Sequence, residues 1–211
     1  MANRMMIEWL FFDLGNTLYD ETYSEYERVV SLIKASRRNI DPSDFIAQMR
    51  IGVSVYAPSP FAYARNHFGI EENYPYSGEK EVLFDGVAVV LKQLSACYKL
   101  GILANQPSST LERLKQDGIY PYFDLCLLSE TENLSKPDFA FFDYAIQKAE
   151  CRPDRIVMIG DRLDNDIVPA KKAGMKTVLI RQGLHSVQQP ISDAYRPDWE
   201  IQSVQQLCSL F

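Results

Sequence analysis

Five short apolar runs, at residues 7–12, 100–104, 125–128, 156–159 and 177–180, constrain this chain more than any other feature. Runs of this length, almost free of charge, suit strands covered on both faces, the condition of a parallel sheet between helices. The segments between the later runs have helical period. Val87, Val90, Leu91 and Leu94 make one apolar stripe, Leu111 and Leu114 mark a second, and Phe139, Phe142 and Ile146 a third behind Pro137-Asp138. A fourth helix is predicted over 164–173, stopped by Gly174. Strand alternating with helix predicts an α/β protein with a doubly wound, Rossmann-like parallel sheet.

One stretch breaks the alternation. Residues 19–80 carry no convincing strand, but Tyr23, Tyr26, Val30 and Ile33 form one helical stripe and Phe61, Ala64 and Phe68 another, punctuated by Pro58, Pro60 and Pro75. We read this as a helical insertion whose many aromatics form its own small core. The expected division is a core of residues 1–18 and 81–211 interrupted by a helical unit at 19–80; 211 residues suffice for both.

Charge narrows the partners. A net charge of −6, without a basic run, argues against nucleic acid. The apolar residues 5–12 are too few to span a bilayer, and the four cysteines (Cys97, Cys126, Cys151 and Cys208) have no metal-ligand spacing. They read as reduced thiols, so a cytoplasmic protein without a membrane partner is expected. Oligomeric state is not legible.

Ligands of open α/β sheets gather at the carboxyl ends of the strands. There the sequence places Asp13-Leu14-Gly15-Asn16-Thr17, then Asn105-Gln106, then Ser135-Lys136-Pro137, then Gly160-Asp161 with Asp166 following. Taken singly, an Asp after a strand is more often a helix cap and a Ser-Lys-Pro more often a loop. Taken together, carboxylates from separate strand ends with one lysine between them suit a divalent cation and a phosphate. The flanks of Lys136 predict a loop in which little packing depends on its ammonium.

In order and spacing these four segments resemble the haloacid dehalogenase (HAD) superfamily over essentially the whole chain. Asp85-Gly86 sits where family members re-enter the core after a cap, and Trp199-Glu200-Ile201 resembles their last strand. The resemblance implies a HAD core with a small helical cap of the C1 type, and a Mg²⁺-dependent phosphatase of a small phosphorylated metabolite. It implies Asp13 as nucleophile forming an aspartyl-phosphate, with Lys136 as the neutralising cation that also contacts the phosphate. The Mg²⁺ ligands would be Asp13, the carbonyl of Gly15 and Asp161, supported from behind by Thr17 and Asp166. Backbone N–H groups of Leu14, Gly15 and Asn105 would cradle phosphate oxygens.

Two positions depart from that pattern. Gly15 stands where the family has its second Asp, the acid/base, a role worth about 10²–10⁴-fold. Ala104 stands at the family's Thr/Ser position, losing a phosphate hydrogen bond worth about 1.5–3 kcal/mol. On that reading Gly15→Asp would restore turnover. Asp20 and Glu21 are the nearest replacement acids in sequence, but read first as surface residues opening a helix, and neither His67 nor His185 lies in a motif. The alternatives are a non-hydrolytic metal- and phosphate-binding regulator and, below it, a 2-haloacid dehalogenase, whose D-x-Y-G-T pattern Gly15-Asn16 does not match.

Overall fold

The computed structural model describes residues 7–211, so Met5 and Met6, which precede the first apolar run, lie outside the described residues. The elements run β1 (Trp9–Phe12), β2 (Tyr19–Asp20), α1 (Thr22–Ser36), α2 (Pro42–Ser54), α3 (Pro60–His67), β3 (Val82–Leu83), α4 (Val87–Leu94), β4 (Lys99–Ala104), α5 (Thr110–Gln116) and β5 (Leu125–Leu128). They continue with α6 (Ser129–Glu132), α7 (Phe139–Ala149), β6 (Ile156–Gly160), α8 (Val168–Lys172), β7 (Lys176–Ile180), β8 (Trp199–Ile201) and α9 (Leu207–Leu210).

Six strands pair in parallel in the order β5-β4-β1-β6-β7-β8, which makes the sheet doubly wound with β1 inside it. The strand period of two sorts the apolar runs onto two faces. Leu10 and Phe12 of β1, Ile102 of β4, Val157 and Ile159 of β6 and Val178 of β7 meet α4 and α9 on one face. Trp9, Phe11, Leu103, Ile156 and Met158 meet Phe141, Phe142 and Ala145 of α7 and Ala170 of α8 on the other. Gly101 is required by this second layer, because a Cβ there would lie 2.4 Å from the Phe11 ring. Burying each such side chain stabilises the fold by about 1.5–3 kcal/mol.

The inserted segment folds as three helices with a separate apolar cluster of Val29, Leu32, Phe45, Met49, Val53, Phe61 and Ala64. Leu184, from the loop after β7, completes that cluster and ties it to the sheet's carboxyl edge. Asp41 caps α2 by accepting the Ser43 N–H at 2.8 Å, and Ser59 caps α3 by accepting that of Ala62 at 3.2 Å, each ahead of a proline in the first turn.

Two features differ from the sequence reading. The stripe in α1 is phased otherwise: Val29, Leu32 and Ile33 face inward, while Tyr23 and Tyr26 are 52% and 44% exposed. Aliphatic residues rather than tyrosines therefore supply most of this core. The insertion is also entered and left through a two-stranded antiparallel ribbon, β2 with β3, too short to leave a periodic signal.

Candidate active site

Asp13 follows β1 directly and its N–H donates to Ile159 O at 2.9 Å, so the carboxylate stands at the junction of β1 and β6. That junction is where strand order reverses, the expected ligand crevice. The chain turns back immediately: Leu14 O accepts from the N–H groups of Thr17, Leu18 and Tyr19, and Asn16 takes a left-handed conformation, φ 51°. Thr17 is wholly buried beneath this turn, with its hydroxyl unpaired among the described residues.

Lys136 arrives from the loop between α6 and α7, but it is not a solvent-facing loop lysine. Its side chain is fully buried, with Nζ 2.8 Å from Asp13 Oδ1 and 2.6 Å from Asp166 Oδ1. The sequence expectation that little structure depends on this ammonium is thereby corrected. Asn105 holds the lysine from the main chain: Lys136 N–H donates to Asn105 Oδ1 and Asn105 Nδ2 donates to Lys136 O, both at 2.8 Å. Sequence reasoning gave Asn105 only a phosphate-facing backbone N–H; the side-chain clamp is a finding of the fold.

Asp161 and Asp166 come from the end of β6 and the π-helical turn 163–167 that follows, a distortion common at functional sites. Asp166 Oδ2 accepts the Arg162 N–H at 3.0 Å and its carboxyl lies against Gly160, where a Cβ would meet Cγ at 2.4 Å. Asp13, Asp161 and Asp166 each bring a carboxylate oxygen within 4.8 Å of the others. Burial pushes the carboxyls of Asp161 and Asp166 up, that of Asp166 to about 7 against the pull of Lys136. Lys136 is raised too, because its two carboxylates outweigh the cost of its burial. When ionised, three crowded carboxylates against one ammonium lack two positive charges; a divalent cation would supply them, and its field would return the raised carboxyls to their ionised forms. The donor set, all hard oxygens, fits Mg²⁺.

His185, which lies in no motif, and Glu21, one of the two replacement acids the sequence offered, stand beside these carboxylates. His185 Nδ1 stands 3.4 Å from Asp161 Oδ2, brought there by the loop after β7. That loop packs so closely that a Cβ on Gly183 would lie 2.1 Å from Asn16 Oδ1, and Gly183 has φ +62°. Glu21 is the other. Its Oε2 accepts from Asn16 Nδ2 at 2.7 Å, and its carboxyl is pushed up to about 9 by burial and by the neighbouring carboxylates of Glu81, Asp161, Glu25 and Asp13. Glu21 opens α1 as expected, but it is half-buried rather than exposed; Asp20 beside it accepts the Thr22 N–H at 2.9 Å. His67, by contrast, packs edge-on against Phe68, away from the site residues.

A cavity of about 200 Å³ lies against the inserted helices, lined in part by Glu25, Arg28, Phe61, Arg162, Leu184 and His185, and it meets the site through His185. Neither that cavity nor a larger concavity, lined in part by Lys99, Trp199 and Phe211, is lined by Asp13, Asp161 or Asp166.

A family profile for HAD-hydrolase-like proteins matches residues 133–207. A glyceraldehyde 3-phosphate phosphatase of Methanopyrus kandleri is 30% identical over 213 residues, 98% of this chain and 84% of its own. Another of that name, from Methanocaldococcus jannaschii, is 28% identical over 97% of each chain. In structure the chain is similar to the putative HAD-hydrolase YfnB of Bacillus subtilis, with a TM-score of 0.72 at 20% identity over 97% of this chain and 98% of that one. The chain belongs to the haloacid dehalogenase-like hydrolases, and its sheet is theirs. It is a hydrolase similar in sequence to phosphatases.

Proposed function

We propose that this chain is a Mg²⁺-dependent phosphatase acting on a small phosphorylated metabolite through an aspartyl-phosphate at Asp13. The observation that carries the reading is the buried Lys136 ammonium shared by Asp13 and Asp166, with Asp161 beside them at the switch point of the sheet. Asp13 keeps one carboxylate oxygen on the ammonium and turns the other to phosphorus in line with the departing oxygen. Lys136 supplies positive charge where the phosphoryl group arrives. Asp166 anchors that lysine, and Asn105 fixes its main chain. Asp13 and Asp161 would hold the Mg²⁺, which when bound neutralises and orients the phosphoryl oxygens. Backbone N–H groups of Leu14, Gly15 and Asn105 take the remaining phosphate oxygens.

The substrate enters beneath the helices of residues 19–80, which we assign as a small helical cap on a core of residues 1–18 and 81–211. A cavity of about 200 Å³ with Arg28, Arg162 and His185 in its wall suits a phosphate ester of triose size better than a nucleotide. The phosphatase relatives named for glyceraldehyde 3-phosphate support the same class. Four free cysteines support a reducing, cytoplasmic setting, and among the described residues no helix is long and apolar enough to cross a membrane.

Phosphate release from glyceraldehyde 3-phosphate and from p-nitrophenyl phosphate, in Mg²⁺ and in EDTA, tests the reading. Release should require Mg²⁺ and vanish in Asp13→Asn. Turnover that survives both EDTA and Asp13→Asn would refute it.

A further inference from the structure

The absent acid/base has a successor in the space it vacates. Gly15 carries no left-handed φ that would demand glycine, unlike its neighbour Asn16, so backbone freedom does not explain it. Space does. A Cβ built on Gly15 would lie 2.1 Å from Glu21 Oε1, 2.6 Å from its carboxyl carbon and 3.0 Å from Oε2. The Glu21 carboxyl therefore stands in the volume that an aspartate side chain at position 15 would fill. We propose that Glu21 is the proton donor and acceptor of this site, replacing from the helix entrance the side chain missing at Gly15. The assignment rests on the phosphatase reading and adds a catalytic residue to it.

The carboxyl is held for such a role. Glu21 lies between β2 and α1, where its carbonyl accepts the Glu25 N–H at 2.9 Å and the β2–β3 ribbon fixes the chain just before it. Asn16 Nδ2 binds Oε2, while Oε1, the oxygen over Gly15, accepts no hydrogen bond among the described residues. One oxygen is thus the handle, and the other lies over Gly15 without a hydrogen-bond partner among the described residues. Asn16 is the positioning residue, and its own left-handed turn aims its amide at Glu21.

The steps balance. Asp13 forms a bond to phosphorus as the bond from phosphorus to the ester oxygen breaks, and the Glu21 carboxyl gives its proton to that oxygen, releasing the alcohol. The Glu21 carboxylate then takes a proton from a water whose oxygen attacks phosphorus. The Asp13–phosphorus bond breaks, phosphate leaves, and Glu21 is again protonated.

This assignment reverses the expectation for Gly15→Asp. Alone, that substitution must displace the Glu21 carboxyl from the volume it fills, so one acid replaces another and turnover should not rise. Paired with Glu21→Ala it re-creates the acid at its alternative origin.

The test compares leaving groups. Glu21→Gln keeps the shape and an oxygen for Asn16 but cannot exchange the proton. It should lower kcat/KM for glycerol 3-phosphate by about 10²–10⁴-fold, and for acetyl phosphate, whose leaving group needs no acid, by less than about tenfold. Phosphorylated Asp13 should then accumulate on the variant, read by mass spectrometry of the acid-quenched protein. Gly15→Asp with Glu21→Ala should recover glycerol 3-phosphate turnover relative to Glu21→Ala alone. Equal losses on the two substrates, or a folded double variant without recovery, overturn the assignment; so does a parent that phosphorylates Asp13 yet hydrolyses no alkyl phosphate. Should Glu21→Gln fail to fold, the double variant decides. Asp13→Asn keeps the two claims apart: if it remains active the phosphatase mechanism itself fails, whereas its inactivity with an unselective Glu21→Gln removes Glu21 alone.

Discussion

Replacing Lys136 by alanine exposes how the site is held together. The lysine side chain is fully buried and bridges Asp13, 13% exposed at its side chain, to Asp166, which is fully buried. Removing the ammonium leaves two close carboxyls without their counter-charge, and breaking a buried pair from one side costs about 3–5 kcal/mol. At about 2–4 °C per kcal/mol for a protein of this size, the melting temperature should fall by about 6–20 °C. Urea denaturation in EDTA, followed by circular dichroism, gives the loss directly. Lys136→Met, which restores the aliphatic volume but not the charge, should lose nearly as much. In saturating Mg²⁺ the gap to the parent should narrow, because a divalent cation among Asp13, Asp161 and Asp166 replaces the missing charge. A Lys136→Ala protein within about 1 kcal/mol of the parent in EDTA would refute the reasoning, since such a loss is ordinary for a surface change rather than a broken buried pair.

Three further outcomes follow from the same geometry. Mg²⁺ at a hundredfold excess over its Kd should stabilise the protein by about 2.7 kcal/mol, raising the melting temperature measured by scanning calorimetry, and Asp161→Asn should abolish that rise. Gly160→Ala should destabilise the fold by about 1–3 kcal/mol and weaken Mg²⁺ binding in titration calorimetry, because its Cβ would push the Asp166 carboxyl lying 2.4 Å away. Glu25, partly buried on α1, has its carboxyl raised from 4.5 to about 7 by burial, with His185 opposing. A carboxyl raised on folding weakens the native state as pH climbs from the unfolded to the folded value. Glu25→Gln should therefore gain stability over the parent between pH 4.5 and 7, by about 1–2 kcal/mol once solvent screening is allowed for, with no gain below pH 4.

The sheet was legible because its strands are buried on both faces, and burial on both faces writes uninterrupted apolar runs such as Ile156–Gly160. The clustering of the candidate site was legible because its residues fall after strands: Asp13, Lys136, Asp161 and Asp166 each follow an apolar run, and the fold brings them together. What stayed hidden depends on packing between segments distant in sequence. Lys136 reads as a loop residue because its burial comes from β1 and the turn after β6 rather than from its own flanks. His185 reaches Asp161 only because the loop after β7 folds against the inserted helices. Glu21 looks like any helix-opening acid; its inward course depends on the torsion of Asn16 and on the void left at Gly15. The missing Asp at Gly15 did direct attention to Asp20 and Glu21, but which of the two turns inward is set by packing that the sequence does not display. The tyrosine stripe of α1 misled because half-exposed aromatics imitate a core period.

Asp13 should become covalently phosphorylated during turnover. Acid-quenched protein, taken within the first turnovers of acetyl phosphate in Mg²⁺, should show by intact-mass spectrometry the addition of one phosphoryl group, mapped by peptide fragmentation to Asp13. The adduct should be absent in EDTA and in Asp13→Asn. Release of phosphate with no adduct at any time point, or an adduct mapped to another side chain, would contradict the account.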